Sequence, residues 1–528
     1  DAGYYSLAQL SAARGDWEEA LYEIDKSLLR NWHNLRGRHL KAAILRHLGR
    51  KDEALALIED SLRIDRFNFG CGFEKYLITG VEADLKKLLA LMRPEAHNYE
   101  ELALDYASAG CWEEALMVAE TAISQNVSGQ TMLHYYKSWF LIQLDRKEEA
   151  LAAIREAEQQ LPDCCFPNVL EAILALQSVI GFAKETPKAL YYLGNLWYDK
   201  RQYPEAITCW ETSMQQDDTF PTVLRNLSLA YFNKLNRQDE AVTLLEKAFA
   251  LDMTDARILM ELDQLYKRLN RSHEDRLAFL EKHKDIAFQR DDLYLEYVTL
   301  LNQLGQYEEA IRMIDARKFH PWEGGEGKVP AQYQLARVEL VKQLLAEKKY
   351  EEALALIEEC FIYPHNLGEG KLYGAQENDF NYYKACALSG LGRKEEATEL
   401  FLAASIGNSQ PAAAMYYNDQ KPDKIFYQGL ALRKLGREEE ACGRFNNLIS
   451  YGEKHLYDVF KMDYFAVSLP DLQIWEDDMN KKNRIHCNYL MALGHLGLGN
   501  NEKAMKYFNI AAEMDNNHQG VQIHQKMI

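Results

Sequence analysis

Apolar residues along this chain recur in blocks with helical spacing, and the blocks share one short phrase. The phrase is a turn residue, then acidic or polar residues, an alanine and a further residue that is usually apolar, as in GDWEEAL, GCWEEAL and GQYEEAI. It recurs at eleven alanines: Ala20, Ala54, Ala115, Ala150, Ala206, Ala241, Ala310, Ala353, Ala397, Ala441 and Ala504. Several successive alanines are about 34 residues apart, and a fixed period in this range predicts stacked helix–turn–helix units.

The residue five positions before each alanine explains how each unit turns. It is glycine in seven units: Gly15, Gly49, Gly110, Gly305, Gly392, Gly436 and Gly499. Asp145 and Asn236 fill two of the other four positions. Since glycine adopts the left-handed conformation freely and Asn or Asp tolerates it, we expect the first helix of each unit to end there. The acidic pair then lies in the first turn of the second helix, near the positive end of its dipole.

The small alanine predicts a close crossing of two antiparallel helices. Aromatic residues follow four positions later, on the same helix face, at Trp210, Phe401, Phe445 and Phe508. Together the glycine, alanine and aromatic positions resemble the tetratricopeptide repeat, a helix–turn–helix of 34 residues. The resemblance implies an all-α fold: an α-solenoid, wound as a right-handed superhelix, of about twelve such hairpins with inserted loops.

The spacing of the phrase divides the chain at about residue 318. Residues 1–317 are predicted to form an array with degenerate repeats near 71–92, 166–181 and 269–280, and Arg276 takes the place of the alanine in the last of these. Residues 318–528 are predicted to form longer repeats of 43–44 residues. The added residues all follow the second helix of a repeat, so the inserted loops should emerge along one edge.

Composition narrows the choice of partner and compartment. The net charge of −19 and pI of about 5.3 argue against nucleic acid or an anionic membrane surface as the main partner. No uninterrupted apolar run has transmembrane length. The nine cysteines show no CxxC spacing, so we expect buried free thiols in a reducing, cytoplasmic compartment. Because the chain begins with Asp rather than Met, we expect it to be a piece of a longer protein.

Two inserted loops share a pattern. Residues 319–329 read FHPWEGGEGKV and residues 361–374 read FIYPHNLGEGKLYG. Each carries Glu-Gly-Lys, and Glu326 and Glu369 are 43 residues apart, so the loops should lie side by side. A third insert, residues 405–421, carries Tyr416 and Tyr417, and a fourth, residues 451–484, carries Trp475.

The inserted loops supply the candidate binding residues. Aromatic faces beside carboxylates and amides suit a sugar, because rings stack on C–H groups and carboxylates accept from hydroxyls. The same residues also suit loops that fold back on neighbouring helices, and both interpretations stay open. The candidates are His320, Trp322, Glu323, Glu326, Glu369, Arg484 and His486. A second candidate surface is the concave groove, with Asn381, Lys384, Gln428 and Asn488 at corresponding repeat positions.

A narrower resemblance covers residues 319–515. The strings HPWEGGEG, NLGEGKLYGAQEN and SLPDLQIWEDDMNKKNRIHCNYLMALGHLGLGN resemble the C-terminal half of a bacterial family of unknown function. In that family a tetratricopeptide array follows an N-terminal region resembling a galactose-mutarotase β-sandwich. The resemblance implies a carbohydrate-linked role in bacteria. No β-sandwich pattern is visible in this chain, so an activity of that region is not carried over.

The chain lacks the familiar catalytic motifs: it has no Walker loop, no HExxH and no GxSxG. We predict neither cofactor nor metal, and we expect no catalysis by this chain alone. The first hypothesis is an interaction module that binds a protein partner or the N-terminal region of its own longer protein. The alternative is a carbohydrate-binding or glycoside-processing protein that uses the 319–374 loops, where Glu323, Glu326 and Glu369 could supply paired carboxylates. Neither nucleic acid nor a membrane is an expected partner.

Overall fold

The computed structural model describes residues 2–162, 165–413, 419–460 and 474–528. Within these residues the regular structure is helical, apart from one isolated bridge between Glu95 and Ser128. The predicted all-α class is therefore confirmed. The chain divides into two compact units, Asp1–Ala230 and Tyr231–Ile528, called unit 1 and unit 2 below. The division at residue 318 concerns repeat length and stays a prediction.

The helices follow one another as short antiparallel partners. Up to the end of unit 1 they are α1 Ala2–Ala13, α2 Trp17–Arg30, α3 Leu35–His47, α4 Lys51–Ile64, α5 Phe69–Thr79, α6 Glu82–Met92, α7 Ala96–Ser108, α8 Trp112–Ser124, α9 Thr131–Gln143, α10 Lys147–Gln159, α11 Leu170–Phe182, α12 Pro187–Asp199, α13 Tyr203–Gln216 and α14 Pro221–Leu235, whose last residues belong to unit 2.

The remaining helices all lie in unit 2. They are α15 Gln238–Leu251, α16 Ala256–Arg268, α17 His273–Lys282, α18 Lys284–Ala287, α19 Asp291–Gln303, α20 Tyr307–Ala316, α21 Lys328–Ala346, α22 Tyr350–Glu359, a 3-10 helix His365–Leu367, α23 Asn378–Gly390, α24 Lys394–Ser405, α25 Pro422–Lys434, α26 Glu438–His455, α27 Met479–Gly497, α28 Asn501–Met514 and α29 Gln519–Gln525.

In every repeat that carries the phrase, the turn between the two helices has the predicted left-handed residue. All eleven positions that precede a phrase alanine by five residues have positive φ. The glycines are joined there by Asp145 and Asn236, and also by Arg201 at φ 60° and Lys348 at φ 61°. Because a side chain in this conformation is strained, the geometry of the turn outweighs the local preference of Arg201 and Lys348.

The alanines mark the predicted helix crossings. Ala397 is 3 % exposed and the other ten phrase alanines are 0 % exposed. The downstream aromatic then packs against a glycine of the partner helix. A Cβ built on Gly194 would lie 2.4 Å from Trp210 Nε1, and one on Gly429 would lie 2.4 Å from Phe445 Cε1. Small residues on one helix and rings on the other therefore set the spacing between the two helices.

In five of the repeats, a glutamate of the acidic pair also forms an ion pair at the start of the second helix. Arginine stands at the N-cap of the second helix and binds the glutamate three residues later through Nε and Nη2. The pairs are Arg50–Glu53, Arg146–Glu149, Arg237–Glu240, Arg393–Glu396 and Arg437–Glu440. Each pair joins the N-cap residue to the first turn of its helix by side-chain hydrogen bonds.

Arg276 stands at the position of the missing alanine in the degenerate repeat. It is the fourth residue of α17, as each phrase alanine is the fourth residue of its helix, and it is 0 % exposed. Its guanidinium donates to Asp263 Oδ2 at 2.8 Å and to Glu296 Oε1 at 2.7 Å. Ion pairing thus satisfies the buried charge at a crossing where other repeats place a methyl group.

The array of unit 2 closes on itself. Trp475, only 1 % exposed, donates its indole N–H to Glu261 O at 3.2 Å. Arg268 Nη2 donates to Trp475 O at 3.0 Å, and Asn517 Nδ2 donates to Lys267 O at 3.0 Å. These contacts join residues more than 200 positions apart, and we call them the closing contacts. They bring the last helices of unit 2 against its first ones.

The cysteines that the structure describes carry free thiols, as predicted. Five of these eight are buried, and burial raises the pKa of Cys71 and Cys360 to about 12, so both thiols stay protonated. Cys164 lies outside the described residues. Among the described helices, none combines the length and the apolar character needed to cross a membrane.

We expect Gly392→Val to destabilise its own repeat. Gly392 has φ +78°, and a Cβ there would meet no atom within 4 Å, so the cost is backbone strain of about 1–2 kcal/mol. The measurement is hydrogen exchange in α23 and α24. Gly443→Val is the matched control, because Gly443 is equally uncrowded but lies within a helix with ordinary φ. Loss of protection spread evenly over the chain would contradict repeat-by-repeat coupling.

Candidate functional site

The first two inserted loops lie side by side in unit 2. The amide of Phe319 donates to Asn366 O at 2.8 Å, and the amide of Gly327 donates to Glu369 Oε2 at 2.7 Å. One bond is made at each end of the first loop. Glu326 and Glu369, which are one local repeat apart in sequence, thus lie in neighbouring loops. The carboxylate of Glu369 accepts its hydrogen bond from the first loop rather than from its own loop.

Asp291, at the start of α19, anchors the first loop. Its carboxylate accepts from Arg317 Nε at 2.7 Å, from the amide of His320 at 2.8 Å and from His320 Nδ1 at 3.2 Å. Partial burial alone would raise the pKa of Asp291, but the hydrogen bonds from His320 and Arg317 outweigh it and lower this pKa. The loop therefore leaves α20 in a direction set by an ionised carboxylate.

Trp322 is half-buried and packs against its own loop. A Cβ on Gly325 would lie 2.3 Å from Trp322 Cε2, so the indole lies flush with that backbone. Glu323 and Glu326, on either side of this contact, are exposed. This loop thus exposes part of the Trp322 indole beside the carboxylates of Glu323 and Glu326.

Three adjoining cavities lie in unit 2. The outer cavity, of about 420 Å³, lies between the two loops. The middle cavity, of about 490 Å³, shares Glu326 and Glu369 with it. The inner cavity, of about 470 Å³, shares Ala331, Phe380 and Lys424 with the middle one and ends at α29. We call the three together the unit 2 cleft.

The structure brings six of the seven candidate residues to this cleft. The outer cavity is lined by His320, Trp322, Glu323, Glu326 and Glu369, and His486 lines the inner cavity. Arg484 is not among the lining residues of the three cavities. Its Nη2 lies 4.0 Å from Asp478 Oδ2, at the start of α27.

The four groove residues of the second candidate surface do not line these cavities. Gln428 is 0 % exposed, and its Nε2 donates to Asn408 O at 3.2 Å. Asn488 donates to Arg484 O at 2.7 Å, and Lys384 pairs with Glu358 at 2.7 Å. These three polar side chains are engaged within the helical array. Asn381, the fourth, is partly exposed.

Trp475, which the fourth insert offered as a recognition residue, is instead one of the closing contacts. Burial of its indole against Phe232 and Glu261 removes it from any surface. Tyr416 and Tyr417 of the third insert lie outside the described residues.

A buried cation forms part of the wall between the middle and inner cavities. Lys424 is 7 % exposed and pairs with Asp379. Burial alone would lower the pKa of Lys424, but Asp379 and Asp423 raise it above its usual value. Sequence reasoning missed this pair, although its members stand 45 residues apart at the N-terminal ends of α23 and α25.

Exposed apolar side chains surround the middle cavity. Leu372 is 60 % exposed and Tyr373 is fully exposed, and both line that cavity. Ile362, in the same loop, is 65 % exposed. Large apolar side chains grouped at the mouth of a cleft are typical of a surface that another molecule covers.

Unit 1 has two polar features of its own. In a cavity of about 390 Å³, burial raises the pKa of Glu100 to about 7. Elsewhere His47, Cys111 and Glu114 place ligand atoms within 4.8 Å of one another. Arg46 Nη2 donates to Glu114 Oε1 at 2.6 Å, so that carboxylate already has a cationic partner. We assign no metal there.

Comparison with known proteins gives helical-repeat neighbours at low similarity. No family profile matches the chain. A tetratricopeptide repeat protein from Parabacteroides merdae is 14% identical, with 57% of this chain and 98% of that chain covered and a TM-score of 0.24. The TPR domain of P58(IPK) is 14% identical over 83% of this chain and 98% of its own, with a TM-score of 0.21.

A third similar structure is that of Naa15/Naa10 bound to HypK-THB. It is 14% identical, with 99% of this chain and 95% of that chain covered and a TM-score of 0.21. Since all three TM-scores are below 0.5, the description of this chain as an array of helical hairpins rests on its own turns, alanines and helix pairs.

We expect Asp291→Asn to loosen the first loop. Replacing the carboxylate removes charge-assisted bonds from Arg317 and His320, at a cost of about 1–2 kcal/mol. Because the pKa of Asp291 is lowered in the fold, this stabilisation is complete above about pH 4 and is lost as pH falls through the folded pKa.

The measurement is amide exchange across residues 319–329 as a function of pH. Asp292→Asn is the matched control, since Asp292 pairs with Arg290 instead. Equal protection of this loop in Asp291→Asn and in the unmodified protein would show that the carboxylate does not hold it.

Proposed function

We propose that unit 2 is a non-catalytic interaction module and that its cleft receives an extended peptide segment of a partner protein. One observation supports this above the others: three cavities share wall residues and so form a single elongated cleft. Cavities of this size suit small ligands and side chains individually. An elongated series of them suits a chain that places one side chain in each.

The exposed loop residues favour a protein partner. Leu372 and Tyr373 give the mouth of the cleft an apolar surface, and the ion pair of Lys424 with Asp379 forms part of its wall. Aromatic side chains are enriched in protein interfaces. The partner is a separate protein or an N-terminal region of the same longer polypeptide.

The wider context of this proposal rests on the resemblance in residues 319–515. From that resemblance we infer that the chain is the C-terminal part of a larger, carbohydrate-linked bacterial protein in the cytoplasm. Free, protonated thiols at Cys71 and Cys360 agree with a reducing compartment.

The test uses a phage-displayed library of random peptides selected on the immobilised chain. Selected peptides are then titrated calorimetrically against Ala331→Trp, because Ala331 lines both the middle and the inner cavity. The added indole should occupy space at the border of the two cavities and weaken binding roughly tenfold or more, about 1.4 kcal/mol.

Ala346→Trp is the matched control for this experiment. Ala346 is exposed at the end of the same helix, α21, and is not among the lining residues of the cleft. Its affinity for the peptides should equal that of the unmodified protein. Peptides that bind Ala331→Trp as tightly as the unmodified protein would place their site elsewhere and contradict the proposal.

The second candidate function is carbohydrate binding or processing at the outer cavity. The observation that favours it is the half-buried indole of Trp322 with Glu323, Glu326 and Glu369 around one cavity. A ring face and several acceptors are the groups that a sugar needs. If this function holds, partner binding through the middle and inner cavities is compatible with it.

Trp322→Ala and the double change Glu326→Gln/Glu369→Gln test this function on a glycan array. Both variants should lose glycan binding, while Tm changes little, because half-buried Trp322 packs against Gly325 of its own loop and glutamine keeps an acceptor for Gly327. Glu351→Gln/Glu352→Gln, two exposed glutamates of α22, is the matched control. Absence of glycan binding by the unmodified protein would rule out carbohydrate binding at the outer cavity.

A further inference from the structure

The outer cavity lies between two loops that are fixed against each other. A Cβ on Gly368, in the second loop, would lie 2.7 Å from Phe319 O in the first, so the two backbones touch there. The hydrogen bond from Gly327 to Glu369 joins the loops again at the other end of the first loop. The chain's own contacts thus hold this cavity of about 420 Å³ in shape, and binding requires little ordering of the loops.

One part of the cavity wall is apolar. Pro321, Val329 and Leu367 contribute aliphatic surface, and Trp322 contributes its half-buried indole. The aliphatic stem of a long side chain packs on such a wall while its polar head stays at the rim. The wall therefore suits a long amphipathic side chain.

The other part of the wall carries negative charge. Glu323 and Glu326 are exposed, so a ligand can reach their carboxylates. Glu369 accepts from the uncharged amide of Gly327, which fixes its carboxylate at the border of the outer and middle cavities and leaves its charge uncompensated. Among the residues that the structure describes, none pairs as a cation with these three glutamates. His320, the other titratable residue of the lining, is bound to Asp291.

A cation is the group that complements this cavity, and a guanidinium fits both parts of its wall. The net charge of −19 favours the approach of a basic segment over an acidic one. A guanidinium is planar and more weakly hydrated than an ammonium, so it stacks on an indole at a lower cost in lost hydration. Its five N–H donors also serve two carboxylates at once.

We propose that the outer cavity is a subsite for an arginine side chain of the bound partner, whose stem packs against Trp322 and whose guanidinium donates to Glu326 and Glu369. The proposal rests on the proposed function, since it names the side chain that the peptide places at the outer end of the cleft. The occupant is therefore a basic segment of a protein.

The test compares two small probes, N-acetyl-L-argininamide and N-acetyl-L-citrullinamide. Citrulline has a neutral urea group in place of the guanidinium, so it keeps the shape and loses the charge. Ligand-observed NMR titrations of the full chain give both affinities. We expect the arginine probe to bind about three- to tenfold more tightly, as partly exposed ion pairs allow. Equal affinities, or no binding of the arginine probe, would overturn the subsite.

A double variant assigns this preference to the outer cavity. Glu326→Gln/Glu369→Gln removes two charges and keeps an acceptor for Gly327, so the two probes should bind it with nearly equal affinity. Glu351→Gln/Glu352→Gln is the matched control, because it removes the same charge from exposed positions of α22 that do not line the cleft. The control should keep the preference. A preference that persists in Glu326→Gln/Glu369→Gln would contradict the assignment.

Charge reversal extends the test to peptides. Glu323→Lys/Glu326→Lys changes two exposed positions of the first loop, so folding should be unaffected. Peptides selected on the unmodified chain should be enriched in arginine, and those selected on this variant should carry aspartate or glutamate in its place. Equal enrichment of arginine on both proteins would contradict the subsite.

The two proposals fail separately. If peptides bind in a manner that Ala331→Trp weakens, while the two probes bind equally, the arginine subsite is wrong and the peptide-binding function stands. If the probes show the expected preference while no peptide binds, the subsite stands and the peptide-binding function is wrong. Glycan binding at the outer cavity without any preference for the arginine probe would assign this cavity to carbohydrate and overturn the subsite.

Discussion

The buried guanidinium of Arg276 is the interaction on which the shape of unit 2 depends. It stands where other repeats place alanine, and it binds Asp263, Glu296 and Asn517, the last at 2.9 Å from Nη1. Burial alone would raise the pKa of Glu296, yet Lys267 and Arg276 lower it to about 2, so this carboxylate stays ionised. Removing one member of such a buried network typically costs on the order of 3–5 kcal/mol, since it leaves charges unpaired.

The same network positions one side of the inner cavity. Asn517 precedes α29, and its contact with Arg276 fixes where that helix lies. Gln332 Nε2 donates to Gln519 Oε1 at 2.8 Å, which joins α29 to α21. These contacts bring α29 beside α21, and residues of both helices line the inner cavity together with residues of α23, α25 and α27. The inner cavity thus depends on closure, whereas the outer cavity depends on the two neighbouring loops.

Sequence reasoning reached the local structure because each local feature has a local cause. The left-handed turn at Gly392, the buried crossing at Ala397 and the place of Arg276 all follow from a phrase a few residues long. The adjacency of Glu326 and Glu369 followed from the repeat length, since residues one period apart become neighbours.

The closing contacts and the inner cavity were beyond the reach of that reasoning. Trp475 and Glu261 are 214 residues apart, and whether they meet depends on small rotations summed over several repeats. A motif of a few residues does not predict the summed rotation of several repeats. Trp475 was the one residue of the fourth insert that hinted at such a contact. Its acidic neighbours in the sequence suited a recognition loop equally well.

Closure of unit 2 is most directly tested by zero-length carbodiimide cross-linking of the unmodified protein, followed by mass spectrometry. Lys234 and Glu476 form an ion pair across the closing contacts, 242 residues apart. Lys267 and Glu296, 2.8 Å apart within neighbouring repeats, provide the internal reference. The account predicts that both pairs are cross-linked within single molecules. Cross-linking of Lys267 to Glu296 without any between Lys234 and Glu476 would show that the array of unit 2 stays open.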